Sequence, residues 1–260
     1  MNNVRTWVKA GLSKGLRRAL RAVREEISVQ RRHQASVRRA RAISAGNAPI
    51  RLNLGSGLQP TRGPEWINVD LSERADLQLD LREPLPFPDD SVAEIYTEHF
   101  LEHLDLPNVD DPTGWEIEAE GRQSDALSFL RECRRVLVPG GVLDVVVPDA
   151  ECILAEYAER RNHPFPQHDW WGPTWCTTPL HCVNYVFRQG REHKYAYDKE
   201  TLAKVLHEAG FESIARRAFD AARDAENHAI ASLCVQAVKL SGTCADGGAS
   251  IARRLSSSAA

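Results

Sequence analysis

Through the middle of the chain, short apolar runs alternate with longer stretches of helical spacing. Residues 51–54 (RLNL) read as a strand that runs into Gly55-Ser56-Gly57. Residues 66–70 (WINVD) and 77–80 (LQLD) read as a second and a third strand, each ending in an acid. Residues 91–96 (SVAEIY) read as a fourth, followed closely by His99-Phe100-Leu101-Glu102-His103. A helix is expected from about 125 to 137, with Leu127, Leu130, Val136 and Leu137 on one side, ended by the turn Pro139-Gly140-Gly141. Residues 142–148 (VLDVVVP) form a β-branched fifth strand, helices follow over about 150–160 and 199–209, and 230–237 is a late strand. Such alternation predicts an α/β fold, a doubly wound and mostly parallel sheet with helices on both faces.

Ahead of this body, Val4, Val8, Leu12, Leu16, Ala19, Leu20, Val23 and Ile27 recur every three or four residues, with Trp7 near the start. That is one apolar stripe on a helix, and Arg17, Arg18, Arg21 and Arg24 surround it. Residues 1–45 carry ten Arg and two Lys against Glu25 and Glu26 only, a net of +10 in a chain whose formal charge is −3. Two readings follow. The helix lies on an anionic membrane surface through residues 4–27, or it packs on the body or on a second subunit. The last residues, 241–260, are small and polar and bury too little apolar surface to fold, so they read as a disordered tail. The expected organisation is therefore a basic helical extension over 1–45, one domain over 46–240, and the tail.

Charge and cysteine content narrow the partners. An acidic body behind a basic arm lacks the basic catalytic face of a nucleic-acid enzyme, so no nucleic-acid partner is expected. The six Cys, at 133, 152, 176, 182, 234 and 244, include no C-x-x-C pair and read as thiols of a reducing compartment. The chain has no apolar run of spanning length and no continuous apolar region near its start. The expected location is cytoplasmic, at the inner face of the membrane if the basic helix binds there.

In open α/β sheets ligands bind at the carboxyl ends of the strands. Gly55, Ser56, Gly57, Asp70, Asp80 and the start of the H-F-L-E-H stretch all fall at that rim. Glycines let a ligand approach the backbone, an acid after the second strand accepts both hydroxyls of a ribose, and an acid after the third can accept an exocyclic amine. The alternative for each alone is an ordinary turn glycine or a capping acid. In this order they favour a nucleoside pocket.

The segments LNLGSG, WINVD, LPFPDDSVAEIY, HFLEHL, FLRECRRVLVPGGVLDVVVPD and ETLAKVLHEAGF together resemble the class I S-adenosylmethionine-dependent methyltransferases, more narrowly a type-11-like group. The resemblance covers about residues 52–240 and implies a seven-stranded Rossmann-like sheet and S-adenosylmethionine as cofactor. It implies that Gly55, Ser56 and Gly57 border the methionine part, that Asp70 and Leu71 hold the ribose, that Asp80 and Leu81 flank the adenine, and that Glu98 and His99 line the floor. Gln59 stands where a third glycine is usual, and Pro60, Gly63 and Pro64 interrupt any helix after the first strand. A compact LNLGSG–WINVD arrangement is similar to a subgroup associated with glycan assembly, which implies O-methylation of a sugar, glycolipid or other small hydroxylated acceptor. A non-catalytic scaffold on the same fold is the alternative.

An insert over 161–198 supplies acceptor-side candidates. His163, His168, His181 and His193 lie there among Trp170, Trp171, Trp175, Tyr185, Tyr195 and Tyr197. His181 and His193, with His103, are the candidate catalytic bases. The stretch H-F-L-E-H also matches the H-x-x-E-H signature of inverted metallopeptidases, a remote reading after a strand of such a sheet. If helical, His99, Glu102 and His103 share one face that suits zinc, iron or manganese. Some methyltransferases that this sequence resembles carry a metal-binding E-x-x-E-H at this position, which implies a site that His181 or His193 could complete, with His99 in place of the first Glu. The stronger expectation is that His99 touches the cofactor while Glu102 and His103 hydrogen-bond locally, so the sequence assigns no metal.

Overall fold

A computed structural model describes residues 13–46, 48–58, 63–106, 124–160 and 175–240. The front of the basic stripe (Val4, Trp7, Val8, Leu12), Gln59 and Pro60, His163, His168, Trp170, Trp171 and the tail lie outside the described residues. The chain opens with helix α1 (Lys14–Ser44), capped by the Ser13 hydroxyl on the Leu16 N–H. Strands β1 (Ile50–Leu54), β2 (Ile67–Val69) and β3 (Val92–Glu98) follow, then helix α2 (Asp125–Val136) and strand β4 (Leu137–Pro148). Helices α3 (Ala150–Arg160), α4 (Pro179–Arg188) and α5 (Lys199–Glu208) precede strands β5 (Ser213–Arg217) and β6 (Ser232–Val238).

The sheet is mixed and six-stranded among the described residues, in the order β2-β1-β3-β4-β6-β5. Neighbours from β2 to β4 run parallel, whereas β6 runs antiparallel to both β4 and β5. This corrects the seven-stranded, mostly parallel expectation at both edges. At one edge, residues 77–80 touch β2 only through a bridge from Leu77 to Val69. The outward N–H groups of Gln78 and Asp80 donate instead to Ser36 Oγ (2.9 Å) and His33 Nδ1 (3.1 Å) of α1. A helix side has replaced the next strand and closes the open edge. At the other edge stands β5, whose sequence SIARR is mostly solvent-facing and gives no apolar alternation.

Pro139-Gly140-Gly141 does not end the pairing as a breaker would. Val92 pairs with Leu137 and Glu94 with Val142, so the three residues form part of a bulge within β4. Gly140 sits at φ +81°, and a Cβ on Gly141 would come within 2.8 Å of the Val138 carbonyl and 3.2 Å of the Ala93 carbonyl.

The main core gathers alternate residues of one sheet face: Leu52 and Leu54, Ile95, Leu143, Val145 and Val147, Leu233, Val235 and Ala237. Phe129, Leu130 and Cys133 of α2, Leu202 and Leu206 of α5, and Ala40 of α1 cover it. On the opposite face a smaller cluster, Trp66, Tyr96, Val146 and Cys234, lies near the loop 218–231, which Tyr96 reaches with a hydrogen bond to Asp224. Helices α3 and α4 pack on each other in a third cluster around Ile153, Cys182 and Val183.

Helix α1 divides in function along its length. Val29, His33 and Ala40 are buried, and Val37 and Ile43 pack against the core. Leu16, Leu20, Val23 and Ile27, the described part of the basic apolar stripe, stay 43–55% exposed. So the second half of α1 packs on the body, and the first half projects its stripe into solvent. Among the described residues no helix is long and apolar enough to cross a membrane.

Candidate functional site

The rim is built first by two parallel strand ends locked together. Val69 O, at the end of β2, accepts from the N–H groups of Gly55 (2.8 Å) and Ser56 (3.2 Å), just beyond β1. Asp70 follows Val69, and its carboxylate accepts from Gly57 N at 3.1 Å and from Ser72 N at 2.7 Å. Each oxygen keeps accepting capacity for another donor. Gly55 and Gly57 both have positive φ, +72° and +64°, but their missing side chains serve different neighbours. A Cβ on Gly55 would lie 2.4 Å from the Phe100 ring, so that glycine makes room for the protein itself rather than for a ligand. A Cβ on Gly57 would meet nothing within 4 Å among the described residues, so this is the glycine open to a ligand. Between them, Ser56 Oγ is buried without a hydrogen-bond partner. Leu71 is 37% exposed beside Asp70.

The other expected cofactor residues have different neighbourhoods from those anticipated. Asp80 is buried, and Arg82 binds both its oxygens, Nη2 to Oδ2 at 2.6 Å and Nε to Oδ1 at 2.9 Å. Burial pushes this carboxyl up, but the hydrogen bonds and charge of Arg82, with His33, hold it below the usual carboxylate range. Its neighbour Leu81 is part of the main core. Glu98 Oε1 is engaged from the 218–231 loop, by Ala225 N and by His228 Nδ1, each at 3.0 Å.

Beyond β3 the chain turns sharply. His99 adopts φ +49°, a left-handed conformation uncommon for a residue with a side chain. Its N–H is fixed on Val146 O of β4, its ring stacks on His228 at 3.7 Å, and its Nε2 lies 3.0 Å from Ser232 Oγ. Burial, then the neighbouring His228, His193 and His103, hold its pKa well below the usual imidazole value, so it stays neutral. Only residues Leu101–His103 are helical, in a single 3-10 turn. His99 and His103 therefore do not share an α-helical face, and the peptidase reading of H-F-L-E-H loses its geometry.

The turn brings Glu102 and His103 against His193, which follows α4. The three side chains offer ligand atoms that all lie within 4.8 Å of one another. The His103 and His193 rings meet edge to face at 4.7 Å. The Glu102 backbone carbonyl accepts from Lys194 N and Tyr195 N, which pins the segment after His193 to the turn. Its carboxyl is 1% exposed, and among the described residues neither oxygen has a hydrogen-bond partner. The expected local hydrogen bond from Glu102 to a side chain is not among them; the imidazole nitrogens that approach it are His99 Nδ1 at 3.5 Å and His193 Nε2 at 4.0 Å. Burial, then the charge of Glu98, pushes this carboxyl up to about 8. Burial likewise lowers the pKa of His103 and of His193, each held neutral. The Tyr197 hydroxyl, also buried without a partner, is pushed up by burial and then by Glu102.

Of the three candidate bases, the structure brings His103 and His193 together and leaves His181 apart. His181 is exposed on α4, its ring 5.2 Å from that of Trp175. Sequence reasoning missed the buried network Arg217–Asp144–Asp224, and no short-range motif announces it. It named Tyr197 only as one of the insert's aromatics and not for the buried hydroxyl that faces Glu102.

No family model matches the chain, and no curated protein does. Solved structures align over most of it at low similarity. A SAM-dependent methyltransferase of Thermotoga maritima is 16% identical, covering 85% of this chain and 96% of that one at a TM-score of 0.39. One of Archaeoglobus fulgidus is 17% identical over 80% and 94%, at 0.40, and one of Mesorhizobium loti 16% over 74% and 91%, at 0.39. Likenesses this distant leave the functional reading to the residues of the chain itself.

Proposed function

We propose that the protein is an S-adenosylmethionine-dependent methyltransferase acting on the hydroxyl of a sugar, glycolipid or other small acceptor. One observation carries the reading. The open glycine Gly57 and the carboxylate Asp70 are tied to each other across the ends of two adjacent parallel strands, where such sheets bind ligands. The residues fit the cofactor. Gly57 leaves space for it, Asp70 has accepting capacity for ribose hydroxyls, and Ser56 Oγ is a buried hydroxyl without a partner.

When bound, the sulfonium supplies both the methyl group and its leaving group. The chain has then to hold the acceptor in line and keep water out. Neutral imidazoles at His103 and His193 can accept a proton or a cation on that side, and the rings of Tyr195 and Tyr197 lie next to them in sequence and structure. Trp175, exposed and edge to face with Tyr185, offers an aromatic surface that favours a ring-bearing acceptor such as a sugar.

Titration calorimetry on the full chain tests this. S-adenosylmethionine and S-adenosylhomocysteine should both bind, and Asp70→Ala should weaken each by about tenfold or more, the loss of hydrogen bonds to a charged acceptor. Wild-type protein that binds neither compound would sink the reading.

A further inference from the structure

We infer that Glu102, His103 and His193 form a site for a divalent transition-metal ion of the zinc type. Four features of the fold converge on it. The first is the donor set, two imidazoles and a carboxylate with ligand atoms within 4.8 Å of one another. Ligand atoms on a tetrahedral zinc ion sit ~3.3 Å apart, as follows from bonds of about 2.0–2.1 Å, so a small closure of the side chains completes the shell. The second is the state of Glu102. Among the described residues the Glu102 carboxyl, 1% exposed, has no hydrogen-bond partner for either oxygen, which a buried polar group requires. A cation between it and the two rings would supply that partner.

The third is the orientation of His193. Its Nδ1 lies in hydrogen-bonding contact with the Val186 carbonyl, an acceptor only, so Nδ1 carries the proton. Nε2 is left with its lone pair, and it is this atom that faces Glu102 Oε1 at 4.0 Å. A histidine locked through one ring nitrogen on a backbone carbonyl presents the other to a metal. The fourth is room. A cavity of about 10 Å3 is lined by two of the three donors, Glu102 and His193, with Pro148, Val186 and Tyr197 but without His103, and it offers space for a single small ion or water beside that pair.

The donor set also selects the ion. Magnesium and calcium prefer oxygen shells with several waters, whereas two imidazoles and one carboxylate suit zinc and its neighbours. His103 is only half-buried, so the shell keeps a side from which a further ligand can enter. His99 is not in the set whose ligand atoms all lie within 4.8 Å of one another, although its Nδ1 approaches Glu102 Oε1 at 3.5 Å. The inference shares His103 and His193 with the proposed acceptor side but uses neither Gly57 nor Asp70, so zinc binding can be read without S-adenosylmethionine and fails or stands independently of cofactor binding.

The test uses full-length protein freed of metal by chelation and titrated with zinc chloride in the absence of S-adenosylmethionine. Elemental analysis after gel filtration should find one zinc per chain in the wild type. Glu102→Gln and His193→Gln, which preserve shape, should each weaken binding at least tenfold and abolish the rise in melting temperature that zinc gives the wild type. Magnesium chloride should give no rise. Circular dichroism of the variants confirms that they are folded. Wild-type protein that retains no stoichiometric zinc, or variants that bind it as tightly as the wild type, would overturn the site.

Discussion

Two buried polar clusters grow from the same strand, and they are built on opposite principles. Below the rim, three guanidinium groups, of Arg51, Arg217 and Arg223, meet three carboxylates, of Glu94, Asp144 and Asp224. Arg217 holds Asp144 through Nε at 2.8 Å and Asp224 through both terminal nitrogens at 2.6 Å. Tyr96 Oη and Asp220 N donate to the remaining lone pairs of Asp224, and Gln236 Nε2 donates to Asp144. At the rim, just past the same strand, Glu102 is as buried as Asp144 and Asp224, yet among the described residues its carboxyl has no hydrogen-bond partner. A satisfied network fixes the loop 218–231 on the sheet and asks for nothing more. An unsatisfied carboxylate between two neutral imidazoles is an incomplete shell. The difference separates scaffold from working site more sharply than burial or charge does.

The largest effect should come from opening the satisfied cluster. Replacing Arg217 by Met leaves Asp144 and Asp224, both 0% exposed in their side chains, without their shared cation. Losing one partner of a buried pair costs about 3–5 kcal/mol. Urea denaturation of Arg217→Met near neutral pH should show a loss of that order. A loss well under 1 kcal/mol would mean the network does not hold the loop, and the contrast between the clusters would collapse.

The unsatisfied cluster should respond to pH instead. Glu102 is raised from 4.5 to about 8 in the folded chain, so between those values the native state holds a proton that the unfolded chain has released. Stability in chelator should therefore be full below pH 4.5, fall as pH rises towards 8, and level above it. The groups facing Glu102 that also titrate are Glu98, His99, His103, His193 and Tyr197, and they are common to wild type and variant. The difference between wild type and Glu102→Gln isolates the one carboxyl. Without metal, the variant should gain on the wild type by roughly 3–4 kcal/mol from pH 5 to pH 8. A difference that does not change with pH would show that Glu102 is stabilised in its charged form by something other than a cation.

Sequence periodicity exposed the scaffold of these clusters but not their chemistry. The β-branched run in β4 and the apolar ends of β1 and β2 made the rim legible, and with it Gly57 and Asp70. Residues 77–80 carry the alternation of a strand, but His33 and Ser36 of a distant helix take the hydrogen bonds that would have extended it. β5 escaped notice because an edge strand with exposed side chains shows no apolar period. Helix α4 had a local signal, Thr178 as N-cap with Pro179 in the first turn, which the surrounding aromatics obscured. The pairing of His103 with His193 depends on the Glu102 carbonyl anchoring residues 194 and 195. Neither that anchor nor the isolation of the Glu102 carboxylate is a property of any local pattern.

The smallest effect refines the comparison to a single atom. Tyr96 Oη donates to Asp224 Oδ1 at 3.0 Å from a ring that is 1% exposed. Tyr96→Phe removes this donor, but Oδ1 keeps Arg217 Nη2 at 2.6 Å, and Oδ2 keeps Arg217 Nη1 and Asp220 N. The carboxylate is not stranded, because its redundancy absorbs the loss. Burial pushes the Asp224 carboxyl up, and Arg217, the Asp220 N–H and Tyr96 together hold it below the usual range. The cost should therefore be that of one hydrogen bond in a satisfied network, about 1 kcal/mol in urea denaturation and the same at pH 5 and pH 8. A cost of 3 kcal/mol or more, the size expected for a stranded buried charge, would mean that Tyr96 is the keystone of the network and Arg217 is not.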